Sequence, residues 1–111
     1  MRKIILITSL IAIYSSTAAF ATDHEVKMKS ISYDPKVLEI KLNDSVRWEN
    51  IAYTEHSAAS YEDAPSASKF DTGLIAPKGK SKKIKFSTAG VFPYHCTVHG
   101  KTMTGTITVV K

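Results

Sequence analysis

Four side chains that suit a soft or borderline metal ion stand out, and three of them lie close together near the end of the chain. Cys96 is followed by His99 and then by Met103, while His56 lies far upstream. One thiolate, two imidazoles and one thioether form a trigonal Cys-His₂ set with a weak axial Met, which is typical of type 1 (blue) copper sites. The residue types therefore predict one copper ion, bound by His56, Cys96, His99 and Met103.

This mixture of ligands suits a metal that changes its charge. Cu(I) prefers soft sulfur and Cu(II) prefers nitrogen, so a rigid site that contains both donors is acceptable to either state. Little rearrangement then accompanies the transfer of one electron. We expect a carrier of single electrons and not an enzyme, with Cu(I)/Cu(II) as its working couple.

Three other functions would use some of the same residues. Zinc could bind Cys96, His99 and His56, although the thioether of Met103 argues for copper. A cysteine nucleophile would need a base oriented by a third group, and neither that group nor an oxyanion loop is evident in the sequence. A copper carrier or storage protein on the same fold is the closest alternative, because sequence alone barely separates it from an electron carrier.

The elements that must position these residues are short β-strands. Apolar and polar residues alternate with a period of two in the ranges 26–29, 38–42, 46–49, 83–86, 92–96 and 106–109. Turn signals separate these segments, which indicates an all-β sandwich or barrel. His56 lies in a long loop (50–68) with room for one helical turn. Cys96 ends a strand, and His99 and Met103 follow in a short loop before the last strand. A sandwich can bring these strand ends together.

The first 21 residues have the features of a signal peptide. Arg2 and Lys3 supply the positive start, residues 4–14 the apolar core, and 19–21 the small-residue motif before a cleavage site. The apolar run is shorter than the ~20 residues that span a bilayer. We expect cleavage between Ala21 and Thr22, no stable membrane insertion afterwards, and an exported, periplasmic protein whose residues 22–111 form a single domain.

The cysteine count and the net charge also restrict the possible functions. Cys96 is the sole cysteine of the 111 residues, so the disulfide that usually staples a small exported domain has no second partner in this chain. A bound metal would supply that missing staple. Removal of Arg2 and Lys3 with the signal peptide lowers the formal net charge from +5 to +3, a mild excess that does not suggest nucleic acid binding.

The chain has a family resemblance that covers essentially all of residues 25–111 and rests on three stretches. They are Val46-Arg47-Trp48-Glu49-Asn50 leading to His56, Phe70-Asp71-Thr72-Gly73, and Gly90-Val91-Phe92-Pro93-Tyr94-His95-Cys96-Thr97-Val98-His99. In these stretches the chain resembles the plastocyanin/azurin cupredoxins, most closely the small bacterial amicyanin-like and plastocyanin-like members.

The resemblance implies a Greek-key β-sandwich and the same four ligands, with outer support from Ser57 and Thr97. It also implies that a transient redox partner exchanges electrons at the edge of His99, with the chain working as a monomer. Three residues separate His99 from Met103, one more than in amicyanin-like loops and one fewer than in plastocyanin-like loops, so the subfamily stays open. Val98 replaces a common proline and could donate a second backbone N–H to the thiolate.

Three further expectations concern residues outside the ligand set. His95 should point away from Cys96 and be exposed, because side chains alternate along a strand. Five lysines between 78 and 85 are interpreted as a solvated strand edge in preference to a steering patch. Cleavage would place His24 third from a free amine, which is the arrangement of a square-planar Cu(II) or Ni(II) site.

Overall fold

The strand pattern of the sequence produces two packed β-sheets. The structure, a computed structural model, describes residues 20–111. The predicted signal peptide lies outside the described residues, apart from Phe20 and Ala21. Within the described part of the chain, no helix is long and apolar enough to cross a membrane.

The first sheet contains four strands in the order β2-β1-β4-β6. Their bounds are β1 Asp23–Met28, β2 Tyr33–Asp34, β4 Ser45–Asn50 and β6 Ile84–Lys85. β1 runs parallel to β4, with Asp23 opposite Ser45 and Met28 opposite Asn50. β4 is therefore an inner strand, and its end leads directly into the loop that carries His56.

The second sheet has the order β3-β8-β7-β5. Its strands are β3 Val37–Lys41, β5 Ala59–Ser60, β7 Gly90–Cys96 and β8 Gly100–Val110. The predicted all-β sandwich is confirmed. The long loop contains one 3₁₀ turn, Ser66–Ser68, as expected. It also contains β5, which the sequence did not predict, because two small residues are too few to show a strand pattern.

The core consists of the inward-facing members of the alternating segments. Val26 and Met28 of β1 and Val46 and Trp48 of β4 are fully buried. Tyr94 of β7 meets the Trp48 ring edge-on at 5.4 Å between ring centroids. Burial of large side chains of this kind supplies about 1.5–3 kcal/mol each, which stabilises the two sheets that carry the site residues.

One end of the β7–β8 hairpin departs from regular pairing. His95 lies opposite Thr104, whereas Cys96 lies opposite Gly100, so residues 101–103 of β8 have no opposite residue on β7. The prediction that Met103 lies in a loop before the last strand is wrong, because β8 already begins at Gly100 and Met103 lies in this bulge. Bulges re-aim side chains next to functional sites.

Candidate metal centre

Three of the four predicted ligands meet at one end of the sandwich. The donor atoms of His56, Cys96 and His99 all lie within 4.8 Å of one another. Nδ1 of each imidazole is 3.6 Å from Sγ of Cys96. The ring centroids of the two histidines are 4.8 Å apart, so both rings face the same sulfur.

The spacing of the donor atoms matches what a metal ion requires. Bonds of about 2.0–2.3 Å to nitrogen and sulfur, at trigonal angles near 120°, place neighbouring donor atoms about 3.5–3.8 Å apart. Both Sγ–Nδ1 separations of 3.6 Å fall in this range. The residues present therefore fit an ion held between one thiolate and two imidazoles.

Burial differs among the four predicted ligands in a way that bears on access. His56, Cys96 and Met103 are fully buried, while His99 is half-buried. Met103 occupies the β8 bulge that faces the His95–Cys96 step. The site is thus closed on the protein side, and His99 is the predicted ligand with a path to solvent.

His56 is held in place by its own backbone. Its N–H donates to the carbonyl of Ile75 at 3.2 Å, and the N–H of Ile75 donates back to the His56 carbonyl at 2.7 Å. Burial, and secondarily the neighbouring His99, lower the pKa of His56. The imidazole therefore favours its neutral form, which is the form that binds a metal.

Asn50, which the sequence analysis did not single out as a functional residue, shapes the loop that delivers His56. This fully buried side chain donates to the carbonyls of Thr54 at 2.8 Å and Ile75 at 2.9 Å, and accepts from the N–H of Ala52 at 2.9 Å. A polar residue that ends an apolar strand could have signalled this role. Asn50 thus links both sides of the turn that leads to His56.

Among residues 20–111, Sγ of Cys96 has one backbone donor. The N–H of Ser57 lies 3.4 Å from Sγ of Cys96. Ser57 and Thr97, the two predicted supporting residues, share a hydrogen bond between hydroxyls at 2.7 Å, and Thr97 N–H donates to Ser57 Oγ at 2.9 Å. The expected second donor, Val98 N–H, makes no such contact, and Val98 is half exposed.

The position of His95 agrees with one prediction, but its exposure does not. It lies on the face opposite Cys96, outside the group of donor atoms, as alternation predicts. However, it is half-buried and not exposed, because the Tyr61 ring stacks on it at 4.4 Å. The partner ring comes from the long loop, whose course the alternation of β7 cannot reveal.

The proposed second metal site at the N-terminus is not preformed. Residues 23 and 24 belong to β1 and pair with β4, and the His24 ring lies 2.9 Å from a carboxylate oxygen of Asp44. A four-nitrogen site would require this strand to leave its sheet. The structure therefore argues against that hypothesis.

The positive charge of the five lysines between 78 and 85 is partly neutralised by neighbouring acidic residues. Lys80 pairs with Glu25 at 3.5 Å and Lys83 with Asp23 at 2.7 Å. These exposed pairs contribute little stability, but they reduce the positive field along β6. This supports the interpretation of a solvated edge.

Comparison with known proteins places the chain in a family. Residues 20–110 match the family model described as copper binding proteins, plastocyanin/azurin family. A plastocyanin from Scenedesmus fuscus is 38% identical over 87 residues, which cover 72% of this chain and 88% of that protein. A chloroplastic plastocyanin from Tetradesmus obliquus is 37% identical over 87 residues. These cover 72% of this chain but only 59% of the length of that plastocyanin.

Solved structures give the same fold at lower identity. A reduced amicyanin variant superposes with a TM-score of 0.69 at 24% identity, covering 77% of this chain and 79% of the other. A Cu-containing nitrite reductase from Thermus scotoductus gives a TM-score of 0.71 at 24% identity, over 91% of this chain but 25% of the enzyme. Both likenesses concern the fold alone.

Proposed function

Because this chain belongs to the plastocyanin/azurin family of copper binding proteins, we propose that it carries single electrons through one type 1 copper ion. The observation that carries the proposal is the meeting of His56, Cys96 and His99 around one point, with Sγ at 3.6 Å from both Nδ1 atoms. When bound there, copper would supply a one-electron Cu(I)/Cu(II) couple.

We assign the ligands to His56, Cys96, His99 and, in the axial position, Met103. The first three are supported by their geometry, and Met103 by its full burial in the bulge beside Cys96. Retention of copper is supported by the three fully buried donors, since a protein that delivers copper must release it. This favours an electron carrier over a copper carrier.

The electron route follows from the exposure of the ligands. His99 is half-buried while the other three are enclosed, so we propose that a transient redox partner docks over His99. We further propose that the protein is not an enzyme, works as a monomer in the periplasm, and consists of one domain, 22–111, after loss of residues 1–21. The nitrite reductase that shares the fold is a much longer chain.

Spectroscopy of the copper-loaded mature protein tests this function. We expect intense absorption from thiolate-to-Cu(II) charge transfer and one copper per chain. Cys96→Ser should abolish the absorption, and the matched control His95→Ala, at the neighbouring residue outside the donor group, should retain it. Equal absorption in Cys96→Ser and the wild-type protein would contradict the assignment of the sulfur ligand.

A further inference from the structure

Ser57, the residue after His56, uses every one of its polar groups to hold the ligand loop in place. Its N–H donates to Sγ of Cys96 at 3.4 Å, and its hydroxyl bonds with the hydroxyl and N–H of Thr97. Its carbonyl accepts a hydrogen bond from the hydroxyl of Tyr33 at 2.5 Å. Tyr33 belongs to β2, in the sheet that does not contain Cys96.

Tyr33 is held rigidly enough to act as a fixed donor. The residue is 3% exposed, and its ring packs edge-on against Tyr94 at 4.6 Å. Burial raises the pKa of its hydroxyl above the usual range, so the phenol stays protonated. The Ser57 carbonyl is buried as well, and loss of its donor would leave an unsatisfied acceptor that must move to find another partner.

We propose that Tyr33 is a positioning residue of the copper site, which fixes Ser57 and thereby sets the N–H contact to the Cys96 thiolate. This inference rests on the function proposed above. The contact of 3.4 Å between the Ser57 nitrogen and the Cys96 sulfur depends on the position of the Ser57 backbone, so a displacement of Ser57 changes it. A hydrogen bond to the thiolate withdraws electron density from sulfur and favours Cu(I), so Tyr33 maintains a raised reduction potential.

Tyr33→Phe tests the proposal, because it keeps the ring and removes the hydroxyl. Tyr94→Phe is the matched control: it also removes a buried hydroxyl, which accepts from Trp48 Nε1 at 3.3 Å and does not bond to Ser57. The first measurement is amide hydrogen exchange of Ser57 in the copper-free protein, normalised to the amides of β8. The second is the reduction potential of the copper-loaded protein.

We expect Ser57 to exchange about fivefold faster in Tyr33→Phe, the factor that corresponds to one ordinary hydrogen bond, and the potential to shift downward. Tyr94→Phe should show neither change. Unchanged exchange and potential in Tyr33→Phe would overturn the proposal, as would equal shifts in both variants.

A second variant, with the opposite expected effect on the Tyr33–Ser57 hydrogen bond, keeps the proposal testable if Tyr33→Phe does not fold. Tyr33→3-fluorotyrosine strengthens the donor, so we expect slower exchange of Ser57 and a higher potential, and the reverse of either shift would overturn the proposal. The exchange measurement needs no copper, so it tests the Tyr33–Ser57 link separately. A colourless Cu(II)-loaded protein would contradict the proposed function and leave the exchange result standing.

Discussion

At the scale of single residues, the metal-binding side chains are predictable from the sequence, whereas the residues that support them depend on tertiary contacts. Cys96, His99 and His56 are predictable from the sequence because the metal restricts its ligands to a few residue types. The role of Tyr33 is not predictable, because it depends on a buried carbonyl that the tertiary structure brings to the hydroxyl. The Val98 donor was expected from a missing proline, yet an N–H that is available need not point at the sulfur.

The proposed role of Met103 as the fourth ligand can be tested by substitution. Met103→Gln replaces a soft thioether with a hard oxygen, which favours Cu(II), so we expect a lower reduction potential. Met28→Leu, at an equally buried methionine in β1, is the control and should leave the potential unchanged. An unaltered potential and EPR spectrum in Met103→Gln would move the axial role to another group.

The lowered pKa of Asp44 should make the free energy of unfolding depend on pH in the acid range. The N–H of Thr22, followed by the His24 side chain, lowers the pKa of Asp44 to about 2. The unfolded chain has a value near 3.9, so the ionised carboxylate stabilises the fold above about pH 4, and this contribution disappears as the pH falls towards 2. Denaturant unfolding should show Asp44→Asn less stable at pH 6, with the difference from wild type shrinking by pH 2.

The control for this effect is Asp63→Asn, at an exposed acid of the long loop, which should track the wild-type protein across the range. A difference between wild type and Asp44→Asn that stays constant from pH 6 to pH 2 would show that the Asp44 carboxylate is not the titrating group.

At the scale of elements, the β7–β8 hairpin combines predictable strands with a junction that is not predictable. Period-two alternation identifies both strands, because each has one buried face. Alternation says nothing about the shift of register between His95 and Cys96, which depends on how residues 101–103 leave the ladder. The position of Met103 was therefore wrongly assigned to a loop.

Gly105 allows the same two strands to approach closely at the aromatic core. A Cβ atom at this position would lie 2.5 Å from the Tyr94 ring, and that ring is enclosed by Tyr33, Trp48 and Phe70. We expect Gly105→Ala to lower the free energy of unfolding by about 1–3 kcal/mol. Denaturant unfolding measures this directly.

Thr108→Ala, on the same strand but facing outward, is the control and should change stability by about 0.5 kcal/mol or less. Equal stability of Gly105→Ala and the wild-type protein would show that the Tyr94 ring can move aside.

At the scale of the whole molecule, the sandwich joins His56 to Cys96 and His99 across two sheets. Fold class and the distant pairing of these loops were predictable, since a small all-β domain has few ways to place strand ends together. The contacts that the loops make with the strands were not predictable, as the stacking of Tyr61, in the long loop, on His95 of β7 demonstrates. Pairing of β1 with β4 likewise argues against the speculative metal site at the N-terminus.

Because the donors come from segments far apart in the chain, the loop after β4 and the β7–β8 hairpin, metal binding should stabilise the entire fold. A ligand that binds only the folded state adds about 2.7 kcal/mol at a free concentration one hundred times its Kd. We expect removal of copper to lower the Tm of the wild-type protein, while Cys96→Ser should respond far less to copper. Calorimetry with and without copper measures both, and equal Tm values for the two wild-type forms would contradict a metal site that links these two segments.

Reversible redox titration of the copper-loaded mature protein tests the electron-carrier function most directly. The thiolate-to-Cu(II) absorption should disappear on reduction and return fully on oxidation over repeated cycles, with one copper per chain before and after. Loss of copper on reduction, or a Cu(II)-loaded protein without this absorption, would contradict a type 1 site that carries electrons.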